Sequence, residues 1–223
     1  MKQTETPQIA KRVFNLIILD ESGSMTGLEK TSVTGVNETI QTIRSSYDQK
    51  PEQEQLLTLV TFSTRGDSFF RVKFDKEPIA NVKELNIADY TPGGVTPLYD
   101  TMGKALTELE RTVTDTDIVL VTIITDGYEN ASREYDVKAI KRLIGRLSEK
   151  NWVFTYIGAN QDAVLEAGQM GIRNAMNYVS DEPGTGAMWE KERAYRACFM
   201  KKVQDGCSID EIKESYFADG DIK

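Results

Sequence analysis

The sequence predicts an α/β domain built on a mostly parallel β-sheet with helices on both faces. Three observations predict it. Six short runs rich in β-branched and aromatic residues are spread along the chain. Segments with apolar residues at helical spacing separate all but one pair of them, as parallel neighbours require. The remaining pair is joined by a connection too short for a helix, so one strand should run antiparallel.

The first run, Phe14–Leu19, is apolar and ends at Asp20. Val36, Ile40, Ile43 and Tyr47 then recur at helical spacing. Leu56–Phe62 and Phe69–Phe74 follow, linked only by Ser63 to Ser68, which suits a hairpin. Leu98, Met102, Ala105, Leu109 and Val113 mark a second helix, with Pro97 suited to its first position. Ile118–Ile124 is a fourth strand, and Val137, Ile140, Ile144 and Leu147 mark a third helix. Trp152–Ile157 is the fifth strand, and a short helix starts near Asn160. Ala175–Val179 is the weakest strand signal. A long helix from about Thr185 carries Met188, Tyr195, Cys198 and Phe199 on one face. Trp152, Trp189, Tyr195 and Phe199 read as packing residues. The expected organisation is one domain over residues 13–204, after a polar segment 1–12 and before a polar appendix 205–223.

Composition narrows the chemistry. With 39% hydrophobic residues in 223, the chain can bury one large core. The net charge of −8 and the scatter of Lys and Arg argue against a nucleic-acid partner, because phosphate contacts need clustered cations. An acidic surface suits a divalent cation and basic partners. The run Val13–Leu19 is too short for a signal-peptide core or a membrane span, so the expected location is the cytoplasm. Cys198 and Cys207 lack zinc or redox-motif spacing and read as free thiols. There is no histidine, which removes Ser-His-Asp and Cys-His catalysis. A metal here has to be held by oxygen, which selects Mg²⁺, Mn²⁺ or Ca²⁺.

Three loops supply such oxygens. Asp20, Ser22 and Ser24 follow the first strand; Thr96 lies in "TPGGVTPLYD" ahead of a helix; Asp126 lies in "IITDGYEN" after the fourth strand. In open parallel sheets, ligands bind beyond the carboxyl ends of strands. Each segment alone has an ordinary reading as a cap or turn. Together they offer three neutral hydroxyls that could bind a hard cation directly and leave its charge largely uncompensated, while Asp20 and Asp126 hold metal-bound waters or one of them moves in to bind directly. Such an ion still attracts an external carboxylate.

Asp20-x-Ser22-x-Ser24, "GGVTPL" with Thr96, and "TDG" with Asp126 resemble the metal-ion-dependent adhesion site of von Willebrand factor A (vWA) domains. The similarity runs over about residues 13 to 200, and "YIGANQDA" and "NYVSDEPGTGAM" further resemble small intracellular bacterial members. The resemblance implies a Rossmann-like α/β fold whose six-stranded sheet has the order 3-2-1-4-5-6 and one antiparallel edge strand. It also implies a non-catalytic module that binds a protein partner through Mg²⁺ or Mn²⁺, with Ca²⁺ less suited. Asp20, Ser22, Ser24, Thr96 and Asp126 are then the metal-site residues. Glu21, Met25, Asp89, Tyr90, Tyr128 and Glu129 flank the loops as candidate partner-specificity positions. An intracellular member would assemble a complex, with AAA+ ATPases or kinase–phosphatase modules as partners by family analogy.

Rival readings weaken on inspection. A calcium EF-hand needs Gly and Glu at the sixth and twelfth loop positions, where this chain has Met25 and Thr31. An aspartyl phosphotransferase needs an acid where Ser22 stands, and no P-loop follows a strand. Two alternatives remain. One is a metal-dependent hydrolase that activates water with Glu21, Asp126 or Glu129 as base. The other is an interaction scaffold independent of metal.

Overall fold

The computed structural model describes residues 12–159, 162–214 and 216–217. Its sheet has six strands: β1 (Arg12–Asp20), β2 (Glu54–Phe62), β3 (Phe70–Pro78), β4 (Ile118–Thr125), β5 (Trp152–Ala159) and β6 (Asn174–Tyr178). Their order is β3-β2-β1-β4-β5-β6, and only the β2–β3 pair is antiparallel. Among the described residues six α-helices surround it: α1 (Glu29–Gln49), α2 (Leu98–Glu110), α3 (Val137–Ser148), α4 (Ala163–Met170), α5 (Glu182–Gln204) and α6 (Ile209–Glu214). The expected α/β class and strand order are therefore observed.

The central strands are apolar throughout because they are buried on both faces. In β1, Val13, Ile17 and Leu19 pack into one layer with Val36, Ile40 and Ile43 of α1 and Trp189 and Phe199 of α5. Phe14, Leu16 and Ile18 face the other layer, with Met102 and Leu106 of α2, Ile140 and Ile144 of α3, and Met170 of α4. Met188, Tyr195 and Phe199 are buried as expected, while Cys198 is half-buried and Cys207 exposed, neither of them in a disulfide.

Two differences from the sequence reading have physical causes. β3 continues past Phe74 to Pro78 through polar residues, because an edge strand needs burial on neither face. Its bulge puts Lys76 at φ 49, with the Lys76 N–H donating to Thr58 Oγ1 at 3.0 Å. Within the appendix 205–223, α6 docks Ile212 against the α5 layer, and Tyr216 packs beside Tyr195 and Phe199. The expected helix start at Asn160 and segment 1–11 lie outside the described residues; α4 begins after Asp162, whose carboxylate caps the Leu165 N–H.

One polar layer went unread. Arg196 and Glu192, an i,i+4 pair on α5, are wholly buried beneath the sheet. Arg196 donates to Asn15 Oδ1 at 2.8 Å, Thr122 Oγ1 at 2.9 Å and Glu192 Oε1 at 2.7 Å. Thr39 of α1 donates to Glu192 Oε2 at 3.2 Å. The network ties α5 to β1 and β4, the two strands whose ends carry Asp20 and Asp126.

Candidate metal-binding site

Parallel pairing sets the level of the site. Leu19 of β1 stands opposite Ile124 of β4, so Asp20 and Asp126 leave the sheet at neighbouring points on its carboxyl edge. After Asp20 a 3₁₀ turn, Gly23–Met25, curls the chain back and presents Ser22 and Ser24 on one side. The Ser22 N–H donates to Asp20 Oδ1 at 2.7 Å, closing the turn on its own carboxylate.

The "GGVTP" loop is stitched onto this turn. The Gly23 N–H donates to Gly94 O at 3.0 Å, and the Gly93 N–H to Glu21 O at 2.9 Å. On its far side the Thr64 N–H donates to Val95 O, and the Val95 N–H to Thr64 Oγ1, both at 3.0 Å. Gly94 sits at φ +81, where a Cβ would come within 2.8 Å of Arg65 N and Thr64 Oγ1, so only glycine permits this approach. Thr96 is fixed from the third loop, its N–H donating to Asn130 Oδ1 at 2.8 Å.

Side-chain oxygens converge where the loops meet. Ser24 Oγ donates to Asp126 Oδ1 at 2.5 Å and lies 3.1 Å from Ser22 Oγ. A Cβ on Gly127 would lie 3.4 Å from Thr96 Oγ1 and 3.7 Å from Ser24 Oγ, so this glycine keeps a small space open beside both hydroxyls. Asp20 is held from the β4 side by Thr125, whose Oγ1 donates to Oδ2 at 2.6 Å. Ser180, just before α5, donates to Asp126 Oδ2 at 2.9 Å. The structure thus gathers Ser22, Ser24, Thr96 and Asp126 around one opening, with Asp20 buried directly beneath.

The electrostatics favour a cation there. Burial raises the Asp20 carboxyl to about 6; hydrogen bonds from Thr125 and Ser22 oppose the rise and the Asp126 charge adds to it. The Tyr178 hydroxyl is buried nearby, and its pKa is raised by burial and then by the charges of Asp126 and Asp20, against the opposing effect of Ser180. Three neutral hydroxyls and two carboxylates form an all-oxygen donor set, which fits Mg²⁺ or Mn²⁺. Among the described residues, no group of three or more His, Cys, Asp or Glu side chains is placed to hold a metal.

Three of the six flanking positions do not reach the surface. Glu21, Met25 and Tyr90 are each only 1% exposed and form no rim. Burial alone would raise the Glu21 carboxyl, but the Thr61 hydroxyl, the Thr91 N–H at 2.6 Å and Arg71 Nε at 2.9 Å hold it below the usual range. Glu21 thus braces the loops against β3. Met25 fills the core, and the Tyr90 hydroxyl donates to the Asp20 carbonyl at 2.5 Å. Both Glu129 oxygens are engaged, Oε2 by the Tyr99 N–H at the start of α2 and Oε1 by the Ala131 and Ser132 N–H groups. The Asp89 carboxylate is exposed but caps its own 3₁₀ turn through the Asn86 N–H. Tyr128, 54% exposed, stands at the opening.

Sequence reading missed the residues that support the site from outside the three motifs, Tyr178, Ser180 and Asn130 in particular. It also passed over Thr125, although that threonine directly precedes Asp126.

The model of the von Willebrand factor type A domain matches residues 16–194, and the chain belongs to that family. Solved structures share the fold at low identity. Proximal thread matrix protein 1 from the mussel byssus is 16% identical with a TM-score of 0.58, over 84% of this chain and 47% of that one. A form of that protein with a zinc-occupied MIDAS motif, the metal-ion-dependent adhesion site, is 14% identical (TM-score 0.56), over 86% of this chain and 47% of that one. The SpRpn10 VWA domain is 12% identical with a TM-score of 0.55, over 80% of this chain and 94% of that domain. The present chain spans about half the length of the mussel protein. No curated protein matches the sequence.

Proposed function

We propose that this protein is a non-catalytic, divalent-metal-dependent protein-binding module. Asp20, Ser22, Ser24, Thr96 and Asp126 hold Mg²⁺ or Mn²⁺, with Ca²⁺ less suited, and a partner's acidic side chain completes the site. When bound, the ion would supply a positive charge that direct ligation by the neutral Ser22, Ser24 and Thr96 hydroxyls leaves largely uncompensated, with Asp20 and Asp126 acting mainly through water. Asp20 anchors the Ser22 turn from beneath, Ser24 and Thr96 present hydroxyls at the opening, and Asp126 is oriented by Ser24 and Ser180. The observation that carries this reading is the convergence of oxygens from three separate loops beside a glycine that keeps the opening clear. A cytoplasmic role in assembling a complex is part of the proposal, with AAA+ ATPases or kinase–phosphatase modules the partners suggested by family analogy.

The bases that a hydrolase would need are already engaged. Glu21 is paired with Arg71, Glu129 caps α2, and Asp126 accepts from Ser24 and Ser180. The test is a pull-down from the source cell's lysate with wild type in Mg²⁺, wild type in EDTA, and Thr96→Ala, with bound proteins identified by mass spectrometry. Partners should appear only with wild type in Mg²⁺. Partners retained under all three conditions would favour the metal-independent scaffold. Turnover that is lost in Thr96→Ala would favour the hydrolase.

A further inference from the structure

At its amino edge, away from the metal site, the sheet is incomplete. β6 pairs only with residues 155–159 of β5, so residues 152–154 have no strand on their outer side. A cleft of about 550 Å³ lies there, walled by Gly145 and Ser148 of α3, by the turn at residues 171–174 that enters β6, and by Asp210 and Glu214 of α6. Lys213 pins α6 across the end of α3, donating to Ser148 O at 2.9 Å and to Lys150 O at 2.6 Å. Asn174 Nδ2 ties the turn to α6 through Lys213 O at 3.0 Å. Hydrogen bonds thus fix the walls, and the cleft stays open between them.

The helix beside it is unusual for this chain. α3 carries four cations and no acid, on a molecule whose net charge is −8. Ile140, Ile144 and Leu147 face the core, so helical spacing turns Lys138, Arg142 and Gly145 onto the outermost ridge. Arg146 lies on the α2 side and is held by both Glu110 oxygens. Lys141 lies on the other side, with its Cγ 3.6 Å from where a Cβ on Gly171 would stand, beside the turn that carries Arg173. Lys138, Lys141, Arg142 and Arg173 are exposed and pair with no acid among the described residues. A Cβ on Gly145 would meet nothing within 4 Å, so this glycine leaves the ridge open to the cleft.

Like charges three and four residues apart on a helix cost stability, and a glutamate at any of these positions would relieve the cost. An external anion relieves it equally, and a cationic face on an acidic molecule draws anions to that face. We propose that the outer face of α3 and the adjoining cleft form a second interaction surface, independent of the metal, for an acidic peptide segment of a partner protein. Its carboxylates lie over Lys138, Lys141, Arg142 and Arg173. From Lys138 to Gly145 the ridge spans about 10 Å, the reach of three or four residues of extended chain. One side chain of the segment enters the cleft beside Gly145. That side chain is not an acid, because Asp210 and Glu214 stand on the far wall and Glu149 follows the ridge. Nucleic acid fits poorly, since its regular row of phosphates would run beyond four cations into an acidic surface.

A twelve-residue peptide library, randomised at every position, is presented to the immobilised full chain in EDTA, which silences the metal site, and bound peptides are sequenced. Asp and Glu should be enriched on both sides of a position from which they are excluded, and added Mg²⁺ should leave the selected sequences unchanged. Lys138→Gln/Arg142→Gln should weaken the best peptide about tenfold, and Gly145→Leu, which fills the cleft, should weaken it by a similar factor without lowering the melting temperature. Lys83→Gln/Lys201→Gln removes the same charge elsewhere on the surface and should bind as wild type does. Three results would overturn the proposal: no acidic enrichment in EDTA, equal loss in the two double variants, or tighter binding of a twelve-nucleotide single strand than of the best peptide.

Discussion

Replacing Gly35 by alanine tests the packing that places α5, and with it Ser180, against the site. Gly35 lies inside α1, and a Cβ built there would fall 2.1 Å from Trp189 Cγ and 2.3 to 2.4 Å from two further ring atoms. Ordinary contact begins at 3.4 Å, so the ring would have to withdraw by about 1.3 Å (3.4 − 2.1). Trp189 is 1% exposed and packed in the core, and the clash falls at the root of its ring, so no rotation of a flexible end relieves it. Overpacking of this kind costs roughly 3 kcal/mol, the upper part of its usual range. Alanine returns about 1 kcal/mol through helix propensity. The net loss of about 2 kcal/mol should lower the melting temperature by about 4 to 8 °C for a chain of this size.

The control is the same substitution in open space. A Cβ at Gly145, inside α3, meets nothing within 4 Å. Gly145→Ala should therefore keep the propensity gain of about 1 kcal/mol and melt about 2 to 4 °C higher than wild type. Differential scanning calorimetry of the three proteins in EDTA decides the matter. If Gly35→Ala melts at or above wild type, the tight α1–α5 approach is wrong, and so is the argument that glycine is required for it.

Three further outcomes are expected. Gly127→Ala would put a methyl group 3.4 Å from Thr96 Oγ1 and 3.7 Å from Ser24 Oγ, so Mg²⁺ binding by calorimetry should weaken while the far-UV circular dichroism stays unchanged. Glu192→Gln leaves the Arg196 charge buried and uncompensated, and urea unfolding should show a loss of about 3 to 5 kcal/mol, only part of it recovered by Glu192→Gln/Arg196→Met, because Asn15 Oδ1 then loses its donor. Burial would raise the Asp117 carboxyl, but Arg12 and Thr114 bond it strongly enough to hold it below the usual aspartate range. Its lowered pKa adds stability above pH ~4 that is lost as pH falls through the folded value. Wild type should therefore exceed Arg12→Gln in urea unfolding at pH 7, and the gap should shrink as the pH is lowered below about 4.

The residues that sequence reading found and those it missed differ in one physical respect. Asp20, Ser22, Ser24, Thr96 and Asp126 lie in local patterns, each a polar cluster directly after a strand or before a helix, so their convergence follows once the sheet is taken as parallel. The six strands were legible for the same local reason, and the polar end of β3 was not, because a half-exposed edge carries no hydrophobic alternation. Supporting residues have no such signature. Ser180 matters only because the end of β6 returns beside β4, and Tyr90 only because its loop folds over β1.

Three of the flanking positions turn inward for reasons that are equally non-local. Proximity to the three loops suggested Glu21, Met25 and Tyr90 as rim residues, but Glu21 is drawn in by Arg71 and the Thr91 N–H, Met25 by the core, and Tyr90 by the Asp20 carbonyl. The Glu192–Arg196 pair shows the converse. An i,i+4 pair of opposite charges on a helix reads as a solvated face, and nothing within α5 contradicts that. The contradiction sits 181 residues away, in the polar Asn15 set among the apolar residues of β1. A buried amide must find partners, so Asn15 is itself a statement that some polar group crosses the sheet face above it. Arg196 is that group. It grips β1 and β4, the strands that carry the two acids of the site, from the helix whose approach brings Ser180 to Asp126.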